Sequence, residues 1–187
     1  MKKRCAWCTE DPLYIDYHDR EWGIPVHNDR RLFEFLVLEG AQAGLSWLII
    51  LRKRNAYRAV FDKFDYNKIA TYNERKIKSL LQNPGIIRNK LKIRSAVTNA
   101  GAFINVRSEF GTFNKYIWSF VDGVPVRNRW KRFKDVPAST KLSDTISKDL
   151  KKRGFSFVGT TICYAFMQAV GIVNDHTIDC FRYADCK

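Results

Sequence analysis

The chain has 187 residues, 45% hydrophobic and 28% charged, which are the values of a globular protein with one sizeable core and exclude a disordered polymer. Its 33 Lys and Arg against 19 Asp and Glu give a formal charge of +14, predicting a polyanionic partner such as nucleic acid. Five cysteines exclude a fully paired disulfide framework. Lys2, Lys3 and Arg4 lead into Cys5 and then acids rather than a long apolar stretch, so a cytoplasmic, reducing setting without a secretory signal is expected.

Residues 5–28 are dense in aromatic and titratable side chains. Asp11-Pro12 reads as an N-cap followed by Pro at the first helical position and predicts a helix over 12–20. Asp29 is the expected cap of a helix over about 30–40, with Leu32, Phe33, Leu36 and Val37 on its apolar face. Gly40 and Gly44 are expected to interrupt it, and Ser46 to cap a third helix from Trp47 to Tyr57 or beyond. The stretch 35–51 contains one ionisable side chain, Glu39. A carboxylate in such surroundings is costly unless it is paired or protonated. Either it serves an ion pair or a helix end, or it stands in a cavity at the glycine bend. The same stretch is short for a membrane span and interrupted by glycine, so no membrane partner is expected.

Asp65 should cap a short helix over 67–71, and Asn73 should open one through Ile77, Leu80 and Leu81. The run from Asn83 to Lys90 (Asn-Pro-Gly-Ile-Ile-Arg-Asn-Lys) then turns into a helix through Leu91, Ile93, Ala96, Val97 and Ala100. This helix–turn–helix unit spans about 73–106 and carries Arg88, Lys90, Lys92 and Arg94 just past the turn. Unpaired N–H groups at a helix start form a phosphate site. Gly85, Ile86, Arg88 and Lys90 are therefore candidates to grip one DNA backbone without reading sequence, against the alternative of an ordinary corner with a solvated basic face. A helix is expected over 112–121. Residues 123–137 look irregular, and the eight residues 127–134 within them include Arg127, Arg129, Lys131, Arg132 and Lys134 and no acid. Ser143 should cap a helix to Arg153, and Gly159-Thr160-Thr161 should open an apolar helix over 162–170. No strand ladder is visible, so the class is all-α, one domain over 1–187.

His176 and Cys180 have the i, i+4 spacing of ligands on one helical face or in one tight loop. With His18 and either Cys5 or Cys8 they could form a closed Cys2His2 zinc site tying the chain's two ends together. Tyr14, Tyr17, Trp22 and Trp47 could sandwich a flat base while Glu39 accepts from its exocyclic amine, although such aromatics equally serve a core. No P-loop, His-Glu-x-x-His or Gly-x-Ser-x-Gly motif is present, which removes NTPases, common metalloproteases and common hydrolases and leaves no nucleotide cofactor expected.

Four blocks, in order and over nearly the whole chain, resemble the DNA-3-methyladenine glycosylase I (Tag) family: residues 11–23 (Asp-Pro-Leu-Tyr-Ile-Asp-Tyr-His-Asp-Arg-Glu-Trp-Gly), 38–47 (Leu-Glu-Gly-Ala-Gln-Ala-Gly-Leu-Ser-Trp), 85–88 (Gly-Ile-Ile-Arg) and 151–176. The resemblance implies a helix-hairpin-helix fold and monofunctional hydrolysis of the N-glycosidic bond that releases 3-methyladenine from alkylated double-stranded DNA in base-excision repair, by a monomer. It also implies one structural zinc ion on Cys5, His18, His176 and Cys180, which favours Cys5 over Cys8. Glu39 is then the group that recognises the extruded base. Tyr17 and Trp47 pack on its rings, and Trp7, Tyr14 and Trp22 are further pocket residues. Many relatives in the wider superfamily carry a catalytic Asp in a Val-Asp-x-His setting, where this chain reads Val173-Asn174-Asp175-His176. With Asn174 in that place, a cationic base that leaves readily is expected to do without a carboxylate there. A non-catalytic, zinc-stabilised helical DNA-binding module is the competing reading; it shares charge, zinc and hairpin but has no need of Glu39 among aromatics.

Overall fold

Helix α2 (Asp29–Gln42) is buried on every face: residues 32–41 are all inaccessible. A helix apolar all round belongs at the centre of its neighbours. In this computed structural model, which describes residues 2–186, α2 packs against α3 (Trp47–Val60), α6 (Lys90–Phe110), α7 (Phe113–Ser119) and α9 (Thr160–Ala169). The short α4 (Tyr66–Ala70) and α5 (Glu74–Gln82) lie on α6, α8 (Lys141–Lys152) lies on α9, and α1 (Pro12–Arg20) leans on α3. The all-α expectation holds apart from one two-residue parallel bridge among the described residues. There β1 (Val126–Arg127) meets β2 (Val173–Asn174), with Val126 opposite Val173.

Caps account for most helix starts, and they correct several expectations. Asp11, Asp65 and Asn73 cap α1, α4 and α5 through their side chains as read from the sequence. Asn28, not Asp29, caps α2, accepting from Arg31 N at 3.0 Å. Asp29 reaches across to another helix start, accepting from Phe113 N and Asn114 N of α7 and pairing with Arg107. Ser46 sits at the N-cap position of α3 without bonding it; the Tyr14 hydroxyl accepts from Leu48 N instead, at 3.1 Å. Thr140 caps α8, and Ser143 completes a capping box by accepting from Thr140 N. At α7 and α3 the cause is shared: a carboxylate or phenol brought in by tertiary packing satisfies a helix end as well as the adjacent residue does.

Gly40 does not interrupt α2. A Cβ there would stand 3.3 Å from Phe157 Cβ, so this glycine lets the segment before α9 press against the central helix. The bend comes at Gly44, where φ is +78°. Glu39 is therefore inside the last turn of α2 rather than beside a break. No helix among the described residues is long and apolar enough to cross a membrane.

Candidate functional site

The end of α2 faces a cavity of about 220 Å³. Glu39 and Gln42 reach it from α2, Tyr14 and Tyr17 from α1, Trp47 from the start of α3, and Trp7 and Trp22 from the segments flanking α1. The opposite side is closed by Ala165 and Gln168 of α9 and by Phe133 from a 3-10 turn over Phe133–Asp135. The rings brace one another: Trp7 meets Trp22 edge-on at 5.0 Å and Tyr14 edge-on at 5.5 Å, while Tyr17 lies 5.5 Å from Trp47. By capping α3, Tyr14 also fixes the helix turn that carries Trp47. The structure thus brings together all six residues singled out for this pocket.

Glu39 is 3% exposed and receives no hydrogen bond from any described residue. Burial alone pushes its carboxyl up to about 8. Tyr17 is fully buried beside it, and its phenol is raised by that burial and, secondarily, by the Glu39 charge. The ion pair that a buried acid ordinarily makes is found five residues earlier on the same helix. Glu34 pairs with Arg58 at 2.8 Å and with Arg31 at 2.7 Å. The indole N–H groups of Trp7 and Trp47 are buried without partners as well. Leaving each such donor unpaired costs about 1–3 kcal/mol, so the cavity carries unmet hydrogen-bonding capacity around an unmet acid.

Gln42, Phe133, Ala165 and Gln168 were not anticipated. Gln168 had a usable signal, being the one amide in an otherwise apolar helix, with Ala165 one turn before it on the same face. Its Nε2 donates to Asp175 Oδ2 at 2.8 Å. Phe133 lies in an irregular stretch with no periodicity to place it.

The hairpin is formed by α5, the turn at 83–89 and α6. Gly85 is required by close approach, since a Cβ there would stand 2.8 Å from Ala56 Cβ on α3. Ile86 is buried, while Arg88 and Lys90 are exposed. Asn89 caps α6 by accepting from Lys92 N, and Ile87 N donates to the Tyr57 hydroxyl. The backbone N–H groups of Lys90 and Leu91 remain free at the helix start. Two cations expected to add to this site are engaged elsewhere: Arg94 pairs with Glu74, and Lys92 Nζ donates to the carbonyls of Ala41 and Ala43 at 2.8 and 2.6 Å. Lys92 thereby caps the C-terminus of α2, tying the hairpin to the turn that carries Glu39.

On the far side of Trp22, Cys5, His18, His176 and Cys180 converge, all buried, with their ligand atoms within 4.8 Å of one another. Cys8 stays outside; its sulfur contacts the Thr9 carbonyl. The sulfur-to-nitrogen distances are 3.4 Å (Cys180 to His18 Nε2) and 3.5 Å (Cys5 and Cys180 to His176 Nδ1). A tetrahedral zinc ion with bonds of about 2.3 Å to sulfur and about 2.0–2.1 Å to nitrogen sets those edges near 3.6 Å. The remaining ring nitrogens are held as metal-bound imidazoles require, His18 Nδ1 by Asp19 at 2.8 Å and His176 Nε2 by the Trp22 carbonyl at 3.1 Å. The neighbouring Cys180 sulfur and burial push the Cys5 thiol above its ordinary range, so two thiolates here need a cation between them. The donor set fits a structural metal ion. Gly23 makes room for the His176 ring: φ is +77°, and a Cβ would stand 3.0 Å from His176 Nε2.

Asn174 and Asp175 do not line the cavity. Asn174 Nδ2 donates to the carbonyls of Tyr183 and Cys186. Asp175 accepts from Asn128, Trp130, Tyr164 and Gln168 and has no free lone pair directed at a substrate. Glu39 is thus the one carboxyl on the cavity wall among the described residues.

Residues 7–183 match the methyladenine glycosylase family model. The chain belongs to the methyladenine glycosylase family. It is 49% identical to DNA-3-methyladenine glycosylase 1 of Escherichia coli (strain K12), covering 99% of both chains, and 47% identical to DNA-3-methyladenine glycosylase of Haemophilus influenzae, covering 96% of this chain and 97% of that one. Among solved structures, a crystal structure of 3-methyladenine DNA glycosylase I superposes with a TM-score of 0.93 at 51% identity, over 96% of this chain and 98% of that chain. A Staphylococcus aureus glycosylase structure described as the basis of 3-methyladenine recognition superposes with the same score at 35% identity, over 95% of both. The family resemblance carried by the four sequence blocks and the glycosylase fold are both found.

Proposed function

We propose that the protein is a DNA-3-methyladenine glycosylase of base-excision repair, acting on alkylated double-stranded DNA. The observation that carries this reading is Glu39, a buried carboxyl without partners among aromatic rings. A flat purine extruded from the duplex fits between such rings, and its exocyclic amine supplies the donor that Glu39 lacks. Methylation at N3 makes the base cationic while it is attached to deoxyribose, and a cation beside Glu39 draws the carboxyl toward its ionised form. When the glycosidic bond breaks, its electron pair stays with the base and neutralises that cation. Water oxygen bonds to C1′ and gives up its proton to the surrounding solvent, leaving neutral base and the sugar hydroxyl. Unmodified adenine offers no charge to Glu39 and leaves poorly, so discrimination rests on the charge of the lesion.

Phosphate would be held by the free N–H groups of Lys90 and Leu91, with Arg88 and Lys90 as counter-charge and Gly85 and Ile86 shaping the turn. Cys5, His18, His176 and Cys180 would hold one Zn2+ ion, which closes the chain ends and takes no part in the reaction. The enzyme would act as a monomer.

The test is to incubate the protein with methylated duplex DNA and chromatograph the released bases. Free 3-methyladenine is the expected product. Duplex affinity without base release would instead support a non-catalytic DNA-binding module.

A further inference from the structure

The basic stretch at 127–134 has no part in the hairpin or the metal cluster, yet it ends on the cavity: Phe133 lines it and is 39% exposed. Of the five cations, two are engaged within the protein. Arg127 donates to the Tyr183 carbonyl and lies over that ring at 4.2 Å, and Arg132 pairs with Asp135 at 2.9 Å. Arg129, Lys131 and Lys134 are exposed and make no ion pair with any described residue. They stand four, two and one positions from Phe133, so their backbones lie within about 14 Å of it even in a fully extended chain.

The stretch is not a loose loop. Asn128 Nδ2 and Trp130 Nε1 both donate to the buried Asp175, at 2.6 and 2.8 Å. Asn128 N donates to the Asn174 carbonyl, and the Trp130 carbonyl accepts from Ile178 N. The segment is pinned to the floor of the fold at 128 and 130 while its cations face solvent. Like charges fixed this close together repel one another, an arrangement that costs stability unless an anion lies against them.

Resting on the glycosylase reading, we propose that residues 129–134 form a second DNA contact: Arg129, Lys131 and Lys134 hold backbone phosphates beside the extruded nucleotide, and Phe133 covers the outer edge of its base. A nucleotide whose base occupies the cavity carries its flanking phosphates past the mouth where Phe133 stands. The hairpin and this strap would then hold the backbone at two separate places, one on α6 and one beyond α7.

The test is the salt dependence of duplex binding by the full chain. In the triple variant Arg129→Ser, Lys131→Ser, Lys134→Ser, the slope of log affinity against log salt should fall by about 2–3, near 0.9 for each phosphate no longer neutralised. A second triple variant, Lys68→Ser, Lys115→Ser, Lys148→Ser, removes the same charge from exposed lysines of α4, α7 and α8, none of which lines the cavity. Its slope should change by less than one. Phe133→Ala should slow single-turnover base release about five- to tenfold with the salt slope unchanged. Equal slope changes in the two triple variants, with melting temperatures unaltered, would overturn the strap while leaving the glycosylase reading intact. Wild-type protein that neither binds the methylated duplex nor releases base would overturn both.

Discussion

Two buried carboxylates in this fold have opposite surroundings. Asp175, 1% exposed, accepts four hydrogen bonds, from Asn128, Trp130, Tyr164 and Gln168, at 2.5–2.8 Å. Glu39, 3% exposed, accepts none. Burial is equal, so the difference lies in what each was placed to bind. Asp175 joins the strap, α9 and the turn leading to the Cys2His2 cluster, and its hydrogen-bonding capacity is used within the protein. Glu39 is completed only by something that enters the cavity, and two indole N–H groups in the same wall are unpaired as well. The closed region secures the structure; the open one carries a standing cost that a ligand removes.

The largest effect should come from opening the closed region. Cys180→Ser, or chelation of the proposed zinc ion, should cost about 3–5 kcal/mol and lower the melting temperature by roughly 10 °C or more, because it removes a buried centre joining residues near both chain ends. Thermal melts followed alongside metal content by emission spectroscopy check this. A metal-free variant as stable as wild type would end the case for a zinc clamp.

Isosteric amides at the two carboxylates should then move stability in opposite directions. Asp175→Asn sets an amide NH2 against donors and should destabilise by about 2–3 kcal/mol. Glu39→Gln should stabilise the protein at pH 8, since it removes the need to ionise a buried acid. The carboxyl is raised from its ordinary value of 4.5 to about 8 by burial. The folded state therefore holds a proton that the unfolded state has lost, and the stability linked to that proton is full below pH 4.5 and disappears as pH rises toward 8. Denaturant titrations at pH 5 and pH 8 should show this fall in wild type and not in Glu39→Gln. The same variant should release base about 10- to 100-fold more slowly, the worth of one hydrogen bond to a charged group. It should also lose any rise of kcat/KM with pH centred near 8. A variant with faster release or an unchanged stability profile would remove Glu39 from the proposed role.

Much of this contrast was legible in the sequence, for reasons that differ by residue. A single acid in an apolar run marks itself, which is why Glu39 stood out, and Cys and His at ligand spacing did the same for the cluster. The role of Asp175 was not legible. Its four partners come from positions 128, 130, 164 and 168, and no local pattern encodes a hub assembled from three segments. Gly40 misled because a glycine in a helical run reads as a break when its neighbours are unknown, whereas here Phe157 uses the space. Phe133 was hidden by the irregularity of its segment. Helix existence followed from periodicity and caps; which residue caps which helix depended on partners distant in sequence, as with Asp29 at α7 and Tyr14 at α3.

A smaller effect is expected where the two regions of the site are joined. Lys92 holds the last carbonyls of α2, and its ammonium is partly desolvated, which lowers its pKa. Lys92→Met keeps the stem and removes the cap, at a cost of about 1–2 kcal/mol. If Lys92 positions the turn carrying Glu39 and Gln42, affinity for free 3-methyladenine should weaken severalfold together with stability. Affinity for undamaged duplex, read at the hairpin, should change less. Calorimetry with the free base and fluorescence anisotropy with undamaged DNA separate the two, and loss of duplex binding alone would show that Lys92 serves the hairpin instead.

The smallest predicted change isolates one hydroxyl. Tyr14→Phe keeps the ring against Trp7 and removes the oxygen that accepts from Leu48 N, leaving Ser46 as the nearest replacement cap. Serine is a good N-cap in its own right, and its side chain makes no cap bond while Tyr14 is in place. The loss should therefore stay near 0.5–1 kcal/mol, with base release reduced about twofold as Trp47 at the first turn of α3 loosens. The double variant Tyr14→Phe, Ser46→Ala removes the replacement and should cost more than the sum of the single changes, a coupling measurable in a denaturation cycle. Strict additivity would mean that Ser46 does not take over, and that the cavity wall at Trp47 is held by ring packing rather than by the cap.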